Sequence, residues 1–348
     1  MNLKRKLKVA VMIHALKKKN KKEPFVADIA EHYQLPQHAS NLDTNSYYFS
    51  AHNLEGNSVF MRRAERGDQT VEIWFAYKTK DVIYTNKKQL FQLNESPLNV
   101  KCIETAKTWE AIYNGESYLA KIDKQGVAKV SGKAIKTQVN LVFDATSDIF
   151  DFTYHLNPRI MAEVLANETW NKTFQKNMKE NQQRHYEQQG KATIHLDLDG
   201  NKTDLKLTAM RDHSFGRRDW NYMDRHIWLM ALLGERESLN VNMVSYPHMK
   251  GLKTGYYEKN GTVKNIEVFP ALDKFVPTGS VPNDMNYDII LENGHAFHVE
   301  ATKELEIQFP FDNGNYTICE GIGTFDINGY PARGIIEFGF NKDKSRWT

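Results

Sequence analysis

The sequence predicts an all-β protein with a helical linker, built as two antiparallel β-barrel or sandwich halves in tandem. Three observations predict it. Short runs rich in β-branched and aromatic residues recur along most of the 348-residue chain, separated by turn sequences rich in Gly, Asn and Asp. The hydrophobic period switches to a helical one near the middle of the chain. Strands do not alternate with long helices, which argues against a parallel α/β fold.

The first half reads as strands at 46–52, 58–64, 70–77, 82–84, 98–103, 108–113, 117–122, 127–135 and 139–150. Asn53-Leu54-Glu55-Gly56-Asn57 and Arg66-Gly67-Asp68 are good turn sequences, and Asn114-Gly115 predicts a hairpin turn between two of the strands. Along 71–75, Val71, Ile73 and Phe75 share one face while Trp74 takes the other, so both faces are expected to be covered. Asn157-Pro158 opens a helix to Leu165, and a second helix is expected from about 168 to 188. Its stripe of Trp170, Phe174 and Met178 is expected to pack into a core. Strands resume at 192–198, 203–210, 227–233, 239–246, 252–257, 263–268, 287–291, 295–301, 305–309, 316–324 and 334–340. The implied organisation is a basic N-terminal arm (1–40), a first β half (41–155), a helical connection (156–190) and a second β half (191–348).

Composition bounds the function. With 41% hydrophobic and 26% charged residues the chain is globular in type, and no apolar stretch approaches the roughly 20 residues of a membrane span. Net charge is +3, but residues 1–22 hold nine Lys or Arg and no acid, so taking those nine away leaves −6 on the remainder. A mildly acidic body argues against nucleic-acid binding, which needs a basic face. The basic start reads as a helix or arm, either a solvated tail or a tether to an anionic membrane or a partner. No secretory cleavage site is visible, so a cytoplasmic location is expected. Cys102 and Cys319 are expected as free thiols. The sequence holds no phosphate loop, dinucleotide fingerprint, Gly-x-Ser-x-Gly or His-Glu-x-x-His, and no Cys/His spacing of a zinc site. We therefore expect no cofactor and no metal. The oligomeric state is left open.

The candidate site is the stretch 211–225, with three Asp, four Arg and a His set between two apolar runs. Charges buried there must be paired. On an extended strand Arg211 and His213 share one face and Asp212 and Ser214 the other, with Gly216 breaking the strand. Two readings stand. The Arg-Asp dipeptides at 211–212 and 218–219 could form reciprocal ion pairs that pin a hairpin. Alternatively His213 exchanges protons, oriented by Asp212 or Asp219, while Arg218 holds a ligand's polar end and Trp220 and Tyr222 wall a pocket. His226 reads as a satisfied core histidine. Glu337, within an apolar strand, is either solvent-facing or an acid of raised pKa, and Glu320 and Glu300 are weaker cases of the same kind.

The decapeptide Arg-Asp-His-Ser-Phe-Gly-Arg-Arg-Asp-Trp at 211–220 resembles the signature of a family related to hydroxyneurosporene synthase (carotenoid hydratase) and Diels–Alderase-like proteins. His185-Tyr186-Glu187-Gln188-Gln189-Gly190, Gly334-Ile335-Ile336-Glu337-Phe338 and Ser46-Tyr47-Tyr48-Phe49 with Arg62-Arg63-Ala64 are similar to the version found at the N-terminal region of animal phosphoenolpyruvate-synthase-like proteins. Phe215 stands where that signature more often has Trp. The resemblance implies a tandem lipocalin-like fold with a cavity that includes the motif. It implies an apolar ligand (terpenoid, polyene or lipid-like) and cofactor-free hydration, cyclisation or isomerisation by a non-redox lyase or isomerase. In that case Asp212, His213 and Asp219 are catalytic, and Arg211, Phe215, Arg218, Trp220, Tyr222 and Glu337 bind the ligand. The alternatives are a carrier or sensor without chemistry and an accessory module of a phosphoenolpyruvate-synthase-like system.

Overall fold

The computed structural model describes residues 3–22, 24–80, 82–180, 183–275 and 280–347. In chain order the elements are α1 (Leu3–Lys22), α2 (Ala27–Glu31), β1 (Asp43–His52), β2 (Ser58–Arg66), β3 (Thr70–Lys78), β4 (Ile83–Thr85), β5 (Leu90–Gln92), β6 (Leu98–Glu104), β7 (Thr108–Ile122), β8 (Ala128–Ala145), β9 (Phe150–Asp151), α3 (Pro158–Leu165), α4 (Lys172–Glu180), β10 (Gln183–Leu198) and β11 (Asn201–Arg217). Then follow β12 (Arg225–Gly234), β13 (Glu237–Tyr246), β14 (Met249–Lys259), β15 (Thr262–Val268), β16 (Asp284–Leu291), β17 (Ala296–Phe311), β18 (Tyr316–Ile327) and β19 (Tyr330–Asn341).

The fold is the expected all-β tandem. In the first sheet β11, β1, β2, β3, β4, β7, β8 and β10 pair in that order, and β10 pairs back to β11 and closes the ring. Strands β12 to β19 form a second closed antiparallel barrel in simple sequence order. Closure removes the exposed strand edges that an open sheet would present.

Several expectations need correction. Residues 183–217, placed in the connection and the second half, belong to the first barrel, because β10 and β11 pair with each other and with β8 and β1. The helix expected to run to 188 ends at Glu180, and residues from Gln183 are strand. Asn114-Gly115 is not a turn. It lies inside continuous β7 opposite Gln138 and Thr137 of β8, where ladder pairing outweighs local turn preference. For the same reason 128–145 is one strand, and so is 296–311.

Alternation along the strands builds three apolar layers. Phe49, Met61, Ile73, Phe75, Leu141 and Leu207 fill the first barrel. Ile227, Val241, Ile289, Val299, Ile336 and Phe338 fill the second. Between them lies a layer from the barrels' outer faces, including Tyr48, Trp74, Trp228, Phe309 and Ile318. Ile73 and Trp74 are both buried, as their opposite faces predict, and Trp74 stacks on Phe309 of the second barrel at 4.0 Å. Helices α3 and α4 and the link between them pack Leu165, Trp170, Phe174 and Met178 against Met249 and Leu252 of β14. Both cysteines are free.

Candidate functional site

Because β11 belongs to the first barrel, its alternation splits the charged motif between two environments. Arg211, His213 and Phe215 turn inward. Arg211, 2% exposed, donates from Nε to Gln188 Oε1 at 2.9 Å, ion-pairs with Glu31 of α2, and lies over the Trp109 ring at 5.0 Å. Glu31 also accepts from the Ala106 amide at 2.5 Å, so α2 caps this end of the barrel. His213, 0% exposed, bonds Tyr186 Oη through Nδ1 at 2.6 Å and Asn45 Oδ1 through Nε2 at 2.8 Å, and stacks on Tyr47 at 4.3 Å. Burial, with the Arg211 charge nearby, pushes its pKa well below the ordinary value, so it stays neutral. Phe215 stacks on Tyr33 at 4.2 Å.

The outward residues Asp212 and Ser214 line a cavity of about 240 Å³ between the two barrels. The first barrel contributes Ser46, Tyr48, Arg62, Trp74 and His185, and the second contributes His226, Trp228, Asn242, Thr254 and Glu337. Leu156 and Met161, the latter from α3, close one side. Apolar walls with a few placed polar groups are the ordinary make-up of a ligand pocket.

Each barrel contributes one histidine–carboxylate pair to this cavity. On the first, His185 lies one register step diagonal to Asp212 and pairs with it through Nε2, with Glu187 Oε1 3.4 Å away. Burial opposes the imidazolium, but the Asp212 carboxylate, and Glu187 behind it, hold the His185 pKa up to about 10. Glu187 is fully buried, accepts from Tyr256 Oη at 2.9 Å and from Asn240, and is raised above the usual carboxyl range by desolvation.

On the second barrel His226 bonds Glu337 Oε1 through Nε2 at 2.6 Å and Tyr316 Oη through Nδ1 at 2.7 Å. Its ring lies across β19, where a side chain at Gly339 would strike it: a Cβ there would come within 2.2 Å. Beneath Glu337, its cross-strand neighbour Glu320 accepts from Tyr48 Oη at 2.5 Å. Burial and the Glu337 charge push Glu320 well above the usual carboxyl range. Burial would raise Glu337 too, but His226, a hydrogen bond from Glu320 and the Arg62 charge hold it below the usual carboxyl range. One carboxyl of the pair therefore carries a proton and the other a charge.

Two guanidinium groups face the same space. Arg62 donates to Ser46 Oγ at 3.1 Å and Glu72 Oε2 at 3.2 Å, over the Trp74 ring. Arg218 donates to Ser214 Oγ at 3.0 Å and lies 5.0 Å from the Trp220 ring. Its Nε is buried with no hydrogen bond among the described residues.

Of the residues singled out in the sequence, Asp212, Arg218, Trp220 and Glu337 meet at the cavity. Arg211, His213 and Phe215 do not reach it, because inward and outward positions alternate along β11. Asp219 accepts from the Tyr222 amide at 3.3 Å in the turn after β11, and Tyr222 bonds His248 at 3.0 Å; neither lines the cavity. The two Arg-Asp dipeptides do not pair reciprocally: their four side chains find four other partners. His226 is satisfied at both nitrogens, as expected, yet it faces the cavity. The sequence reading missed His185, Tyr48 and Arg62. Period-2 alternation applied to 183–188 would have placed His185 and Glu187 on one face, but that stretch read as helix.

His185, Glu187 and Asp212 bring three ligand-type atoms within 4.8 Å of one another. In the geometry described, the His185 imidazolium is the cation beside the Asp212 carboxylate and the Glu187 carboxyl.

Solved structures with this architecture include a protein named as an AttH from Nitrosomonas europaea, 11% identical over 91% of this chain and 98% of its own, at a TM-score of 0.51. Kievitone hydratase from Nectria haematococca is 10% identical over 93% of this chain and 94% of its own, at a TM-score of 0.52. At such identities the likeness is one of fold. No curated protein matches the sequence. The family model described as a domain of unknown function (DUF7064) spans residues 28–342, and the chain belongs to that family.

Proposed function

We propose that the inter-barrel cavity binds a small, largely apolar molecule and catalyses a cofactor-free proton transfer on it: hydration, elimination or isomerisation of a carbon–carbon double bond. One observation carries this reading. Each barrel places a histidine–carboxylate pair on the wall of one apolar cavity. Such reactions deliver a proton to one carbon and remove one from a neighbouring atom or from water, with no net redox change. His185 is a donor charged at neutral pH, and Glu337 is an acceptor ionised there.

The carboxylates of Asp212 and Glu337, with Trp220, Trp228 and Tyr48 beside them, would stabilise positive charge developing on carbon. Arg62 and Arg218 would hold a carbonyl or anionic end. The cavity, at about 240 Å³, is below the usual drug-ligand range of roughly 300–1,000 Å³, which favours a compact terpenoid-sized molecule over a long polyene. The name of the hydratase that shares the fold agrees with this class of chemistry and does not specify the substrate.

The test starts by extracting and identifying what co-purifies with the protein. That compound is then incubated with enzyme in D2O and followed by mass spectrometry. Deuterium uptake or a mass change of one water, lost in Asp212→Asn and Glu337→Gln while binding persists, supports the enzyme. Binding with no exchange and no product in the wild type would reduce the protein to a carrier.

A further inference from the structure

The N-terminal helix α1 (Leu3–Lys22) presents two different faces. The inner one packs Val9, Met12 and Ile13 on Ala162 and Ala166, at α3. Arg5 Nε bonds Asn167 at 2.7 Å, Lys8 Nζ the Glu168 carbonyl at 2.6 Å and Asn20 the Thr153 carbonyl at 2.9 Å, so the helix is held along most of its length. At 100° per residue, Leu3, Leu7 and Val11 fall in a strip on the opposite side. They are 84%, 65% and 50% exposed. Lys18 and Lys21 continue the strip toward the C-terminal end of the helix, with Lys4 and Lys22 on one side of it and Lys6 and Lys17 on the other, all exposed.

We propose that this outward face docks the protein on an anionic lipid bilayer. The nine basic residues of the helix, with no acid among them, supply the attraction. The rest of the chain, at −6, is repelled by the same surface, so the charge asymmetry turns α1 toward it. The apolar strip selects the partner. Against a phosphate backbone, three large aliphatic side chains would stay in water; at a bilayer they enter the boundary between headgroups and acyl chains. Met161 of α3, the helix on which α1 sits, lines the cavity, so α1 and α3 would stand between a docked bilayer and the cavity. The docking face stands independently of the chemistry inside.

The test is flotation of the full chain with phosphatidylcholine vesicles, with and without about one third phosphatidylserine, in low and high salt. The expected result is binding on the order of tenfold stronger to the phosphatidylserine vesicles, weakened by salt. The triple variant Leu3→Ser/Leu7→Ser/Val11→Ser should weaken binding by about tenfold with only a small change in melting temperature, because these side chains are mostly exposed and none belongs to the inner face. Lys17→Gln/Lys18→Gln/Lys21→Gln should weaken it similarly without touching the inner face. Failure to float with either vesicle would overturn the proposal. So would serine variants that bind as the wild type does, or an RNA oligonucleotide that binds as tightly as the anionic vesicles.

Discussion

On its inner face β11 presents Arg211, His213 and Phe215 to a filled and capped barrel. On its outer face the intervening residues, Asp212 and Ser214, meet the cavity between the barrels. The two histidines tied to these faces differ accordingly. His213, enclosed by Tyr186, Asn45 and Tyr47 with a guanidinium nearby, is held neutral. His185, beside the Asp212 carboxylate, stays protonated up to about pH 10. One strand thus serves stability with one face and a reactive surface with the other, and substitutions one residue apart should separate the two.

The largest effect is expected on the inner face. Arg211→Ala leaves the Glu31 carboxylate buried without its cation, and should cost about 3–5 kcal/mol in urea unfolding. His213→Ala strands Tyr186 Oη and Asn45 and opens a void; a loss of about 2–4 kcal/mol is expected, with proton exchange on the ligand kept at temperatures where the variant is folded. On the outer face activity is lost along with some stability. Asp212→Asn should lower turnover by about 10²–10⁴-fold at temperatures where the variant is folded, and it takes from the buried His185 imidazolium the carboxylate that holds its charge. Glu337→Gln should lower turnover over the same range.

Part of this division is legible in the sequence. The opposition of Arg211 and His213 to Asp212 and Ser214 follows from period-2 geometry alone, and so does the burial of Trp74 opposite Ile73. What alternation does not reveal is which face looks at what. Asp212 meets His185 through the register of β10 against β11, and Glu337 meets Glu320 through that of β18 against β19; both are set by long-range pairing. Local signals also misled. Asn114-Gly115 has turn chemistry, but β8 pairs straight across it. The stretch 183–188, polar and next to a helix, gave no sign that it closes a barrel.

A smaller effect sharpens the comparison through pH. His185 has a folded pKa of about 10 against an ordinary 6.5, so between those values the folded chain holds an extra proton and stability falls as pH rises. His213 has the opposite sign. Below about pH 6.5 the unfolded chain takes up a proton that the folded one refuses, so stability falls as pH drops. Melting temperatures from pH 5 to 9 should show both limbs, and Asp212→Asn should flatten only the alkaline one. The smallest effect is expected at Phe215→Leu, which removes a stack on Tyr33 and should cost about 1 kcal/mol, with proton exchange unchanged.

The most direct measurement is the protonation of the two imidazoles in the intact protein, read by nitrogen-15 NMR from pH 5 to 9 and assigned with His185→Asn and His213→Asn. His185 should remain protonated throughout, and His213 should remain neutral throughout. A His213 that titrates near 6.5, or a His185 that does, would mean that the two faces of β11 share one environment, and the separation of a structural face from a reactive one would be wrong.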